Sequence, residues 1–345
     1  MRIVLGLFGI ALVLIILSDV LWTTLRLEGA GPLTSWTTTF LWRLSLKLTR
    51  THRSLGLAGF LIVLFVIPLW ISLLWTGWAL VLGMDPGAVV NEVTGQPTRF
   101  WERLYLVSAN SITFGTSEYR PRGAAWHALA TAAAGSGFFL ATLVITYLLP
   151  LVEAVQRRRE VAVYISALGT TPEEILLRAW DGTGFGRLPD YLVALTQPMM
   201  GLGQSHLNYP VLHCFHSRDR DSAIAPMVAV LDEGLTLIEG LDPGLRPEPT
   251  TVYPLRQAVQ KLLSTLAEAH LEPERVPPPA PSLAGLREAG IVTLDDEDFL
   301  GMVDPLQKRR RLLLGLVEQE GWRWDDVVKA PVPGREAPTE RRPGT

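Results

Sequence analysis

The sequence predicts an all-α membrane protein: three transmembrane helices, a short re-entrant helix and loop between the second and third, and an α-helical cytoplasmic domain behind them. Three observations carry that prediction. The runs Ile3 to Leu25, Ser54 to Met84 and Gly123 to Val152 each reach the roughly 20 apolar residues that cross a hydrocarbon core. Residues 1–152 hold eight of the eleven tryptophans, while residues 153–345 hold most of the acidic residues and prolines, so a membrane part precedes a water-soluble part. The second part repeats helical spacing and nearly lacks strand-like runs. The net charge of -3 gives no reason to expect a nucleic-acid partner. The single cysteine, Cys214, rules out an intrachain disulfide and fits a cytosolic setting for that half.

The first element, residues 1–27, is an N-terminal transmembrane helix interrupted by Asp19. A signal peptide is the rival reading, but its basic region would be Arg2 alone and no small-x-small cleavage site follows the apolar core. Asp19 near the end of the run is either an interfacial carboxylate or a buried partner for a basic residue on a neighbouring helix. Residues 28–53 form a cytoplasmic, interfacial segment. Within it Trp36 to Leu48 mixes Trp, Phe and Leu with Arg43 and Lys47 at helical spacing, as in an amphipathic helix lying on the inner surface. The alternative is a cytoplasmic extension of the next span.

Orientation follows from Lys and Arg. Arg26, Arg43, Lys47, Arg50, Arg53 and Arg157 to Arg159 lie on one side, against Arg2, Arg99, Arg103, Arg120 and Arg122 on the other. The bias places the N-terminus outside, and the 28–53 segment and the C-terminal domain in the cytoplasm, for a multi-pass protein of the plasma membrane.

Residues 54–152 form the next unit. An outer helix, 54–84, carries Trp70, Trp75 and Trp78 in its outer half as part of an aromatic belt. Asp85 to Pro97, with Pro86, Gly87, Gly95 and Pro97, reads as a surface loop. Over 98–112, Phe100, Trp101, Leu104, Tyr105 and Val107 have helix-compatible spacing behind a candidate N-cap at Thr98. Such a helix is roughly 22 Å long and enters a membrane only part way. A short helix, then Gly115 in a polar stretch, then the inner helix 123–152, has the layout of a re-entrant pore loop. One such loop per chain cannot enclose a pore, so a conducting form requires a homotetramer with cyclic symmetry.

Thr113-Phe114-Gly115-Thr116-Ser117-Glu118, followed by Tyr119-Arg120-Pro121, lies along the T-x-G-Y-G-D-x-x-P filter segment of potassium channels without a gap. With the helices around it, residues 54–155 resemble the pore-loop potassium/cation channel superfamily, in the form of bacterial ion-channel proteins of the two-span pore type with an extra N-terminal span. The resemblance implies an ion filter at 113–118 and a gating hinge in the inner helix at Gly135, Gly137 and Pro150. The permeant ion would be K+ or Na+, with the lipid bilayer as surroundings and no cofactor or other metal.

The filter residues have a physical reading of their own. Thr113 offers a hydroxyl and a carbonyl at the inner end, and the carbonyls of Phe114, Gly115 and Thr116 can replace an ion's water shell. Gly115 permits positive φ, which turns successive carbonyls toward one axis. Four copies of Glu118 would ring the outer mouth, partly offset by Arg120 and Arg122. Two departures weaken potassium selectivity. Thr116 stands where a potassium filter has Tyr, leaving Trp101 and Tyr105 as the short helix's aromatics. Ser117 stands where it has a second Gly, and a non-glycine residue at positive φ costs about 1–2 kcal/mol. The sequence therefore predicts a potassium or weakly selective monovalent cation channel. The alternative is a non-conducting scaffold or sensor that keeps the architecture.

Residues 153–330 predict a small helical domain that biases the gate. Thr171-Pro172-Glu173-Glu174 is a capping box with proline at the first helical position. Helical runs follow at Leu188 to Leu202, Asp221 to Gly240, Thr250 to His270, Ser282 to Ala289 and Leu294 to Gln319. Gly182-Thr183-Gly184-Phe185-Gly186 has the wrong spacing for a phosphate loop and follows a helix rather than a strand. His206, His213, Cys214 and His216 are core or interface residues, with a zinc site as the sharper alternative. Arg157 to Arg159 read as an anchor at anionic headgroups, Lys308 to Arg311 as a solvated helix face or inner-leaflet contact, and Pro273 to Pro281 as a stiff linker. Residues 331–345 read as a disordered tail. No nucleophile–base or metal-ligand pattern points to an enzyme.

Overall fold

A computed structural model describes residues 1–25, 29–48, 52–112, 118–217, 219–269 and 271–329. Thr113 to Ser117, expected to form most of an ion filter, lie outside the described residues, as do Arg26, Arg50 and the expected 331–345 tail. The protein is mostly helical, and three of its helices are long and apolar enough to cross a membrane. The chain divides into two compact units, residues 1–43 with 60–151 and residues 44–59 with 152–345.

In the first unit α1 (Arg2–Leu25) and α3 (His52–Val81) pack through glycines. A Cβ on Gly9 would lie 2.6 Å from the Gly77 carbonyl oxygen, and one on Gly77 would lie 2.8 Å from Val13 Cγ2. The two backbones therefore approach closely, as small residues allow where lipid offers no hydrophobic drive between helices. Between them in sequence comes α2 (Pro32–Leu48). After α3 a two-stranded ribbon, β1 (Val89–Asn91) paired antiparallel with β2 (Tyr119–Pro121), brackets α4 (Phe100–Ser111), with Val90 opposite Arg120. The ribbon was not visible in the sequence, where Asp85 to Pro97 reads as plain loop: strands of three residues carry too few positions for an alternating pattern. The helix α5 (Ala124–Leu168), shared between the two units, is unbroken for 45 residues, roughly 67 Å, and passes through Gly135, Gly137 and Pro150 without interruption.

Two tryptophans assigned to an aromatic belt are tied to the protein instead. Trp70 is buried and its indole N–H donates to Asp19 Oδ2 at 3.1 Å. Trp78 donates to Ser136 Oγ at 2.8 Å.

The second unit is built around α8 (Ile224–Glu239), buried on every side from Ile224 to Ile238. A helix that is apolar nearly all round belongs at the centre of a domain. Around it pack α6 (Pro172–Ala179), α9 (Pro249–Ala269), α12 (Gln307–Gln319) and the short α13 (Asp325–Val328), while α7 (Leu188–Asn208) pairs with α9. The run expected to be one helix from Leu294 to Gln319 is two, α11 (Asp296–Val303) and α12, split by a 3-10 turn at Asp304–Leu306 that contains Pro305. The short α10 (Ala284–Glu288) precedes them and lies against α6.

Three readings of charged or proline-rich segments are corrected here. Arg309 and Arg310 are not a solvated face. Arg310 is buried and grips Glu233 with both arms, Nε to Oε1 at 2.7 Å and Nη2 to Oε2 at 3.1 Å. Its remaining donors reach the carbonyls of Pro278 and Pro279, at 3.0 and 2.6 Å, so the proline run, expected as a stiff linker, is a strap fastened to the core. Arg158 is likewise buried: its guanidinium donates to the carbonyls of Leu212 and Phe215 and pairs with Glu320 at 2.7 Å, instead of facing headgroups. Both basic runs hide members that point inward, which spacing alone does not single out.

Candidate functional site

The segment singled out by the sequence begins and ends on the ribbon. Thr98 does not cap α4. Its hydroxyl and its N–H both donate to the Val89 carbonyl, at 3.0 and 3.2 Å. Arg99 takes the N-cap position, and the Glu102 carboxylate accepts from the Arg99 N–H at 2.7 Å, a favourable charge for the first turn. On the far side the Glu92 N–H donates to the Glu118 carbonyl and the Arg122 N–H to the Ala88 carbonyl, both at 2.8 Å. Both ends of the 98–122 excursion are thus bonded to residues 88–92. The ribbon ties together the two flanks of the stretch that holds α4.

The C-terminal end of α4 meets α5. A Cβ on Gly137 would collide with the Cβ of Ser111 and come within 2.6 Å of its hydroxyl oxygen. Ser111, the last residue of α4, is held by its own hydroxyl donating to the Val107 carbonyl at 2.8 Å. The neighbouring Ser136 hydroxyl accepts from Trp78 and donates to the Ala133 carbonyl at 2.8 Å. The Gly135-Ser136-Gly137 segment is therefore a junction of α3, α4 and α5. Gly137 is a notch for Ser111. Nothing lies within 4 Å of a Cβ on Gly135, which leaves that position open. A packing notch and a flexible hinge both select glycine, so the sequence could not tell them apart.

Around the loop, Trp101 and Tyr105 are exposed, and the Tyr105 ring meets Tyr119 edge-on at 6.3 Å. Glu118 is exposed, and Arg120 pairs with Glu92 at 2.9 Å on the surface.

The histidine–cysteine cluster forms no metal centre among the described residues, where no three His, Cys, Asp or Glu side chains converge. Cys214 is fully buried at the end of a 3-10 turn, Pro210–Cys214, with His213 Nε2 3.3 Å from its sulfur. Burial pushes its thiol up to about 12, against the pull of Arg158. Burial also lowers His216 from the usual imidazole range. Both effects favour neutral, inert side chains.

A mostly helical body with three apolar helices of spanning length defines a multi-pass membrane protein. No family model matches the chain, and no solved structure matches it. The chain is 31% identical over 309 residues, 89% of its own length and 91% of the relative's, to the uncharacterized membrane protein YdjJ of Bacillus subtilis (strain 168). It belongs to the same family as that protein.

Proposed function

We propose that the chain is one subunit of a homotetrameric pore-loop channel that conducts potassium, or monovalent cations with weak selectivity, through residues 113–118. The observation that carries the reading is the seating of Ser111, the last residue of α4, in the Gly137 notch of α5, just before residues 113–118 in sequence. In such a channel the C-terminal end of α4, with its partial negative charge, favours a cation beside it. The ribbon supports the same reading, since a filter needs both ends of its loop anchored. α5 continues from the notch into the second unit. There it walls a groove of about 940 Å³ with α7 and α9, lined by Tyr164, Met200, Gln204 and Lys261 among others. In such a channel, a domain carried on the same helix as the notch would bias the gate through that helix.

The test is a recording from the purified protein in a planar bilayer, with potassium on one side and sodium on the other. Cation current with a reversal potential near zero is expected, because Thr116 and Ser117 stand where a potassium filter has Tyr and Gly. Replacing Gly115 by Val should abolish the current while the protein still assembles. Silence of the wild-type protein under every gating condition tried would favour the non-conducting scaffold or sensor, the reading that the Thr116-Ser117 departures support.

A further inference from the structure

We propose that the first two-thirds of α2, Pro32–Arg43, is embedded in the bilayer with Trp36 and Phe40 against lipid acyl chains, and that Asp19 holds its N-terminus there. The helix begins on a buried carboxylate. Asp19 Oδ1 accepts from the Leu33 N–H at 2.8 Å, and Oδ2 accepts from the Thr34 hydroxyl at 2.5 Å and from the Trp70 indole at 3.1 Å. The Thr34 N–H lies between the two oxygens, at 3.3 and 3.2 Å. One side chain of α1 thus caps α2 and bonds α3 as well. Asp19 sits six residues before the end of α1, about 9 Å along its axis, and Trp70 lies eleven residues into the apolar stretch Gly59–Val81, about 16 Å. The first turn of α2 therefore starts inside the level of both spans.

Its direction is set by the chain. Trp70 lies about 27 Å along α3 from His52, and Thr34 lies about 21 Å along α2 from Leu48. Leu48 and His52 are four residues apart, at most about 14 Å. α2 can meet that limit only by running back along the first half of α3 toward its start. Residues 32–43 therefore pass the level of Phe60, Leu61, Leu64 and Phe65, which are all exposed apolar side chains on α3.

The faces of α2 agree. Thr34 and Thr37 are buried, at 6% and 4% exposure, while Trp36 and Phe40 stand 68% and 54% exposed, their rings stacked at 5.8 Å. Hydroxyls inside and aromatic rings outside invert the pattern of a helix whose outer face meets water. The exposed side carries only short hydroxyls beside the rings, Ser35 and Thr39, until Arg43. The charges Arg43 and Lys47 fall at the C-terminal end, where the helix dipole and an interface both favour cations.

The assignment needs no conducting pore, so it stands or falls separately from the channel reading. Single cysteines at positions 36, 40 and 47 (W36C, F40C and K47C, each in a C214A background) would be spin-labelled in the full chain, reconstituted in liposomes. Collision with oxygen and with a water-soluble nickel chelate would then be compared. Labels at 36 and 40 should favour oxygen over nickel several-fold more than the label at 47. Nickel access at 36 and 40 equal to that at 47 would overturn the proposal, as would shielding from both reagents, which reports cover by a second copy. Adding Asp19→Ala should raise nickel access at 36. If that variant does not fold, the three labels in the parent background still decide the placement, and unchanged access in a folded Asp19→Ala protein would remove Asp19 from the proposal.

Discussion

The two halves of the molecule bury carboxylates in different ways. In the membrane unit Asp19, 2% exposed, is met by backbone N–H groups, a threonine hydroxyl and an indole. In the second unit Glu233, 1% exposed, is met by an arginine, and Asp232 beside it lies 3.1 Å from Arg256. A cation in the apolar half would itself have to be desolvated, whereas the N-terminus of α2 supplies positive potential with no second ion. The core of the second unit has room for arginine because Arg310 does two jobs. It neutralises Glu233 on the central helix and fastens the proline strap through two carbonyls. Burying an ion pair is worth little by itself, so the gain in that half lies in what the arginine positions.

The sharpest way to break the comparison is Arg310→Ala. It leaves Glu233 buried without its cation and two proline carbonyls without donors, a loss of about 3–5 kcal/mol for a broken buried pair. Thermal unfolding of the full chain in detergent should show the second unit melting about 10 °C lower or more. Exchanging both partners, Glu233→Leu with Arg310→Met, should cost clearly less than the single change. A double variant as unstable as Arg310→Ala would mean that the strap, rather than the charge, carries the effect.

That pair was hidden in a Lys-Arg-Arg-Arg run, and the reason is general. Helices are recognisable by period and spans by length, and those properties are local. α2, α4 and the three apolar helices were legible for that reason, as was the change from membrane to soluble composition at about residue 152. What was not legible were choices made by distant partners. Arg310 rather than Lys308 turns inward because Glu233 lies 77 residues away. Asp19 finds a helix end rather than a basic residue. Thr98 gives its hydroxyl to Val89 instead of capping α4. At the candidate site the glycines were legible as special positions. Which one receives Ser111 depends on how α4 lands on α5, and no spacing rule carries that.

A milder loss is expected at Asp19. Asp19→Ala removes the cap of α2 and orphans Trp70 and Thr34 together, about 1–3 kcal/mol for buried donors left without an acceptor. Asp19→Asn keeps one acceptor oxygen, so it should retain the cap or the indole bond but not both, and fall between wild type and alanine. Pairing each change with Trp70→Phe in a double-mutant cycle, read by thermal unfolding in nanodiscs, separates the two roles. The coupling of Asp19→Asn with Trp70→Phe should be smaller than that of Asp19→Ala with Trp70→Phe if the amide oxygen keeps facing the indole. Strict additivity of Asp19→Ala with Trp70→Phe would break the contrast drawn above, because the carboxylate would then not be shared between helices.

The smallest effect tests a third carboxylate, one that is neither ion-locked in a core nor set in an apolar layer. Glu174 opens α6. Burial pushes its carboxyl up, but the Thr170 hydroxyl and N–H, both 2.6 Å away, and then Arg178 outweigh that and hold it below the usual range. A carboxyl held lower in the folded state stabilises above its unfolded value and loses that contribution as pH falls through the folded one. Glu174→Gln should therefore cost less than about 1 kcal/mol at neutral pH, as a partly exposed pair does. The gap from wild type should close as acid protonates the parent residue. Its neighbour Glu173 has the opposite sign, since burial and then Glu288 hold it above the usual range, so that its ionised form opposes folding as pH rises. Measuring Glu174→Gln against wild type at each pH cancels the Glu173 contribution. A gap that widens in acid would show that the Thr170 contacts favour the protonated carboxyl, contrary to the geometry of a residue that only accepts from Thr170.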